Sequence, residues 1–170
     1  MPRYWGIRTD QQRGDELWAE VQSGRLRQGW GYRDEQDLEL IAHLKAMGRP
    51  LNDHQRATWR GNRRLLSHEP GEVRPGDIVV APNLPRWGVW ALLRVTGSYR
   101  YEISDILNAV TIDGEEGLPD YGHVLPVQLL TPLPIERTDA RVTDRLLRAM
   151  RPPMFSLDHV ASDVGRLLPR

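Results

Sequence analysis

Asp77-Ile78-Val79-Val80-Ala81 and Gly88-Val89-Trp90-Ala91-Leu92-Leu93-Arg94-Val95 are two short, apolar, β-branched runs separated by a turn that holds Pro82 and Pro85. Runs of this length, bounded by glycine and proline, read as adjacent buried strands. Downstream, Tyr99 and Tyr101 fall on one face of a further strand, because side chains alternate with period two. Val124 to Leu130 supplies a last strand, and Pro126 inside it predicts an edge position or a bulge.

Upstream of this block, Arg3 to Thr9 reads as a strand that ends in a turn at Asp10, Gly14 and Asp15. Leu17, Trp18 and Val21 then trace a short helix that Gly24 can close in the left-handed conformation. Arg27 to Tyr32, with Gly29-Trp30-Gly31, follows as a strand or strand edge. Leu38, Ile41 and Leu44 mark a helix between Asp34 and Met47, closed by Gly48 and Pro50. A third helix starts at Asn52 or Asp53 and runs to about Leu66. At the far end, Val142, Leu146, Leu147 and Met150 stripe one helix, and Leu157, Val160, Ala161, Val164, Leu167 and Leu168 stripe another. Helices flanking a run of strands, without strand-helix-strand alternation, predict an α+β fold built on a small, mostly antiparallel barrel or curved sheet. The expected division is a barrel over 1–135 with inserted helices at 34–66, and a C-terminal helical pair over 136–170 packed on it.

Composition narrows the chemistry. The 170 residues hold 23 basic and 23 acidic side chains, so any charge-based function rests on local clustering. With no cysteine, thiolate metal sites, disulfides and cysteine nucleophiles are excluded. The start of the chain lacks the apolar run of a signal peptide, and no stretch approaches the roughly 18 apolar residues of a membrane helix. A cytoplasmic protein without membrane partners is expected. No nucleophile elbow, phosphate-binding loop or paired-histidine helix pattern occurs, and His43, His54, His68, His123 and His159 are scattered. No catalytic residue, metal site or cofactor is therefore assigned.

Lys45 is the sole lysine; the other basic residues are arginines, and half of the twelve aromatics are tryptophan. Genome base composition can explain the arginines, yet guanidinium forks also suit phosphates and indoles suit stacking. Between residues 45 and 64 six positive side chains face Asp53 alone, and Arg56, Arg60, Arg63 and Arg64 fall at helical spacings. That pattern gives a phosphate-binding face or a solvated helix face. Arg137, Arg141, Arg145 and Arg148 form a second stripe, diluted by Asp139 and Asp144, that reads as plain surface. From Glu102 to Asp120 the sign reverses, with Asp105, Asp113, Glu115 and Glu116 between. Phosphate would avoid this stretch, although Asp120 could accept from a base amino group.

Trp5, Trp18 and Trp90 sit in apolar-patterned elements and read as core, whereas Trp59 on the basic helix fits either role. Trp30 between glycines and Trp87 in a Pro-Arg-Trp-Gly turn are placed where a ring can meet a ligand. Those two with Tyr99 and Tyr101 would make the walls of a base pocket, or merely fill a small barrel.

The order of Trp5-Gly6-Ile7-Arg8, Gly29-Trp30-Gly31, Pro75-Gly76-Asp77-Ile78-Val79-Val80, Val95-Thr96-Gly97-Ser98-Tyr99-Arg100-Tyr101 and His123-Val124-Leu125-Pro126-Val127 resembles the PUA-like superfamily. The likeness is to the EVE-like modules of modification-dependent restriction systems, related to YTH and ASCH domains, and spans roughly Tyr4 to Leu130. It implies a pseudo-barrel that flips a modified base into an aromatic pocket, with Trp30, Tyr99, Tyr101 and His123 at matching positions. Such modules often carry arginines between that histidine and proline; Val124 and Leu125 stand there instead, leaving phosphate contacts to the basic helix. The resulting expectation is a non-catalytic reader of methylated or hydroxymethylated DNA. Trp30, Trp87, Tyr99 and Tyr101 would hold the base, Asp120 or His123 its edge, and Arg56, Arg60, Arg63 and Arg64 the phosphates. A nuclease partner would supply any cleavage. An RNA-binding module and a protein-interaction module are the alternatives.

Overall fold

The computed structural model describes every residue except 11–12, 70, 104–109, 113–114, 119, 151–153 and 170, with backbone only at 110–112 and 115–118. Five helices are described: α1 (Gly14–Gln22), α2 (Leu38–Ala46), α3 (Asp53–Asn62), α4 (Asp144–Ala149) and α5 (Ala161–Leu167). The strands before the midpoint are β1 (Tyr4–Ile7), β2 (Arg25–Gln28), β3 (Ile78–Pro82), β4 (Val89–Val95) and β5 (Arg100–Tyr101). Then come β6 (Val110–Ile112), β7 (Glu115–Leu118), β8 (His123–Leu129), β9 (Ile135–Glu136) and β10 (Met154–Ser156).

The two apolar runs pair as antiparallel β3 and β4, with Val79 opposite Leu93 and Ala81 opposite Ala91. Both faces of this hairpin are buried, which explains why its sequence is continuously apolar rather than alternating. Val79, Ala81, Ala91, Leu93 and Val95 face one core, shared with Trp5, Leu17, Leu38 and Leu65. Ile78, Val80, Trp90 and Leu92 face a second core, covered by Leu146 of α4 and by Val164 and Leu167 of α5. The C-terminal helices thus cover the outer side of the sheet.

From that hairpin the sheet extends in the order β10-β1-β3-β4-β8-β2. β1 runs parallel to β3, and β10 lies antiparallel along β1. The sheet is therefore mixed rather than all antiparallel. β10 sits so close that a Cβ on Gly6 would fall 2.1 Å from the Phe155 ring, so glycine is required opposite that phenyl group. β5 adds to β8, β9 adds to β4, and β6 with β7 forms a separate hairpin. The Gln28 amide, at the end of β2, donates to the Arg8 carbonyl just beyond β1 at 3.0 Å. That bond ties the edge strand β2 to the end of β1, next to the opposite edge of the curled sheet, giving an α+β half-barrel flanked by helices.

Pro126 does not mark an edge, since β8 lies between β4 and β2. It falls at an irregularity, where Val95 of β4 pairs with Val127 but Arg100 of β5 pairs with Val124, leaving two extra residues on the side opposite the proline. The Pro126 carbonyl accepts from Thr96 N–H at 2.9 Å, whereas Val127 N–H turns the other way, to Gly24. The missing proline N–H thus faces the gap where β4 ends and β5 has yet to begin, so no ladder bond is lost.

Candidate functional site

The central residue of Gly29-Trp30-Gly31 has φ of 64°, in the left-handed region that a bulky side chain adopts at a cost of about 1 to 3 kcal/mol. The surrounding polar groups hold it there. Its carbonyl accepts from Gln36 Nε2, Thr58 Oγ1 and His123 Nε2, each at 3.0 Å. On the N–H side, the Asp120 carboxyl accepts from Gly31 at 3.1 Å, from Tyr121 at 2.6 Å and from Trp30. Burial pushes the Asp120 carboxyl above its usual range, while these N–H groups pull it back. The Trp30 indole itself is 50% exposed.

Helix α3 carries the other half of the site. Asn52 caps it, accepting from Gln55 N–H at 2.8 Å, and the Gln55 side chain accepts from Asn52 N–H in return. Its buried face is polar. Gln55 reaches the Glu35 carbonyl at 3.1 Å, Thr58 the Trp30 carbonyl, and Asn62 the Gly29 carbonyl at 2.8 Å. This helix is docked by hydrogen bonds onto the segment that presents the indole. Trp30 lies over Gly61, where an added Cβ would sit 3.7 Å from ring atom Cε3.

Arg56 and Arg60 on α3 and Arg63 in the turn just after it follow one another at intervals of four and three, roughly 100° to 160° round the helix axis from Gly61. With Lys45 of α2 and Arg49 just beyond it, they line a groove of about 650 Å³ whose apolar wall is Trp59 with Leu51. The Lys45 ammonium stands 5.3 Å from that indole. Among the described residues, no carboxylate lines the groove. Arg56 also bonds Asp53 and the Leu51 carbonyl along its own helix. Arg64 leaves the set: within the 3₁₀ turn after α3 that also holds Arg63, it points away and reaches the Met154 carbonyl at 3.3 Å. The structure therefore brings Arg56, Arg60 and Arg63 together and turns Arg64 toward β10.

The expected base pocket also divides. Tyr99 and His123 are interior, 7% and 0% exposed, and do not line an open wall. Because the Trp30 carbonyl can only accept, His123 Nε2 carries the proton and Nδ1 accepts from the Tyr99 hydroxyl at 2.9 Å. The Tyr99 oxygen in turn receives Leu38 N–H, the first of α2, at 3.2 Å. Desolvation lowers the His123 pKa to about 4, so the ring is neutral at physiological pH. Tyr101 is half-buried, donates to the Arg33 carbonyl, and lies against Gly31 and Gly122. Trp87 is exposed in a different recess, beside Arg137, Trp90 and Met150. Of the six proposed base contacts, Trp30, Asp120 and Tyr101 adjoin one another at a surface, Tyr99 and His123 support them from beneath, and Trp87 stands apart. The side chains of Asp105, Asp113, Glu115 and Glu116 lie outside the described residues.

Tyr99→Phe is expected to lower stability by about 1 to 3 kcal/mol in urea unfolding, because it leaves His123 Nδ1 and Leu38 N–H buried without partners. His123 also sets a pH response. The unfolded chain takes up its proton near pH 6.5 and the folded chain only near 4, so this contribution is intact above 6.5 and declines as pH falls toward 4.

Sequence reasoning missed Gln36, Thr58 and Asn62. The signal for two of them was present: Gln55, Thr58 and Asn62 form a polar stripe on the side of α3 away from the exposed arginines, where an apolar stripe would ordinarily dock a helix. Among the described residues, no cluster of potential metal ligands occurs, and no helix is long and apolar enough to cross a membrane. No protein-family model matches the chain, and no curated protein matches its sequence.

Proposed function

We propose that this chain is a non-catalytic nucleic-acid-binding module that takes one unstacked base on Trp30 while Arg56, Arg60 and Arg63 hold the neighbouring phosphates. The observation that carries the reading is the left-handed Trp30, whose backbone is fully bonded while its ring is half exposed. A fold that fixes a strained residue and leaves its apolar side chain in water stabilises a platform rather than a core contact. Stacking on such a platform is worth about 1 to 3 kcal/mol per base and is open to any nucleobase.

Selectivity would come from the edge contacts. Asp120 accepts three backbone N–H groups and, as a carboxylate with about four acceptor positions, retains one for an exocyclic amino group. Tyr101 borders the same surface. The curled sheet is compatible with a PUA-like barrel, and the sequence resemblance directs the first choice of ligand to methylated or hydroxymethylated DNA. Cleavage would belong to a nuclease partner.

Oligonucleotides with one plain, methylated or hydroxymethylated base, as DNA duplexes and as RNA, supply the test. The preferred modified DNA should bind Trp30→Ala about tenfold more weakly than wild type, with thermal stability nearly unchanged. Equal affinity of wild type for every oligonucleotide, together with no effect of Trp30→Ala, overturns the reading. A preference for RNA keeps the platform and reassigns the ligand, with 2′-hydroxyl contacts replacing the reading of modified DNA.

A further inference from the structure

Trp87 stands apart from the Trp30 surface, and its surroundings are built rather than incidental. The turn between β3 and β4 is braced at three points. Asn83, with φ of 60°, accepts from Gly88 N–H at 3.2 Å through its side-chain oxygen. Gly88, itself at φ of 83°, accepts Arg137 N–H at 2.7 Å through its carbonyl. Arg86 bonds Glu136 of β9 at 3.0 Å. Alternation along β9 and its continuation then sends Glu136 to Arg86 and Arg137 the other way, toward Trp87. The Arg137 guanidinium stands 5.8 Å from the Trp87 ring.

Between this turn and α4 lies a recess of about 370 Å³, within the range of small-molecule sites. Its apolar surface comes from Trp90 and Met150, both almost fully buried, and from Leu147 of α4. Its charged lining is Arg8 and Arg137; among the described residues, no carboxylate contributes. Trp87 rises at the margin, 64% exposed. A large indole left in water costs hydrophobic free energy that a stacked ring would recover, and the Arg137 guanidinium supplies a flat donor fork for an anion.

We propose that this recess binds a small planar aromatic anion, its ring against Trp87 and its carboxylate or phosphate on the Arg137 guanidinium. A neutral ring would forgo the guanidinium contacts, and an aliphatic anion would leave Trp87 exposed. The site lies on the outer side of the sheet, beneath α4, and shares no lining residue with the α2–α3 groove.

Ligand-observed NMR titration of the intact protein tests this with 5′-nucleoside monophosphates, an aromatic carboxylate such as indole-3-acetate, and the uncharged nucleosides. Saturable binding of one anionic class is expected, weakened about tenfold by Trp87→Ala and by Arg137→Ala. Both residues are exposed, and circular dichroism checks that the variants fold. The Arg60→Glu/Arg63→Glu variant should bind these probes as wild type does, which separates the recess from the groove. Whichever anionic class binds identifies the source of the ligand. Three results overturn the proposal: neither class binds, the uncharged nucleosides bind as tightly, or binding survives both recess variants and disappears with the groove variant.

Discussion

Arg60→Glu combined with Arg63→Glu should, if the chain binds nucleic acid as proposed, abolish most of that affinity, on the order of a hundredfold at moderate salt, while leaving the fold intact. Arg60 is exposed on α3 and Arg63 in the 3₁₀ turn just after it, and the docking of α3 depends on Gln55, Thr58 and Asn62 on another face, so reversing the two charges removes no buried contact. It does convert a groove with five cations and no lining carboxylate into one where two carboxylates face the phosphates. The chain is neutral overall, so no diffuse positive field compensates. The milder pair, Arg60→Ala with Arg63→Ala, should lower the slope of log affinity against log salt by about 2 if each arginine neutralises one phosphate. Trp30→Ala separates the two halves of the site. It should erode preference among bases while leaving the salt slope as it is, because stacking releases no counterions. A double charge reversal that binds like wild type would move the nucleic-acid interface elsewhere or remove it.

The arginine stripe and the exposed tryptophans were legible because both depend on local pattern: helical spacing for one, glycine and turn neighbours for the others. The central hairpin was legible because strands buried on both faces are apolar at nearly every position, the exposed Arg94 being the exception. What failed was long-range geometry. Tyr99 and Tyr101 alternate correctly, yet β5 is only two residues long, and Tyr99 lies before it with its hydroxyl turned inward to His123. Trp30 and Trp87 look equivalent in sequence, but one is anchored to α3 and the other to β9. β10 was invisible: Met154-Phe155-Ser156 is too short to show a period, and its place against β1 depends on a glycine about 150 residues earlier. The polar face of α3 was visible and passed over, because a hydrogen-bonded docking surface has the composition of a solvated one.

Glu20→Ala should be the most damaging single substitution outside the cores, lowering stability by about 3 kcal/mol and the melting temperature by roughly 10 °C. Glu20 on α1 is 4% exposed and binds two arginines of β2. Arg25 grips it with both prongs, at 2.7 and 2.9 Å, and Arg27 reaches it at 2.5 Å. Removing the carboxylate leaves Arg27, itself 5% exposed, with only the more distant Glu102 carboxylate at 3.9 Å among the described residues. Arg27 has a second role, because one guanidinium nitrogen donates to the carbonyls of Glu102 at 2.7 Å and Tyr121 at 3.1 Å. Those carbonyls flank residues 103–120, and Asp120 at the end of that stretch holds the N–H groups of Trp30 and Gly31. A substitution on α1 should therefore loosen the indole platform as well as the fold, and base preference should weaken in Glu20→Ala even below its unfolding temperature. Acid should act through the same group. The Arg25 hydrogen bond, opposed by burial and helped by Arg27, lowers the Glu20 pKa from 4.5 to about 2. Its contribution is therefore complete above about pH 4.5 and is lost as pH falls toward 2. Urea unfolding of wild type and Glu20→Gln across that interval checks the sign, since the glutamine variant should lack this part of the acid response. Parallel curves for the two proteins would mean that Glu20 does not hold β2 in the way its hydrogen bonds indicate.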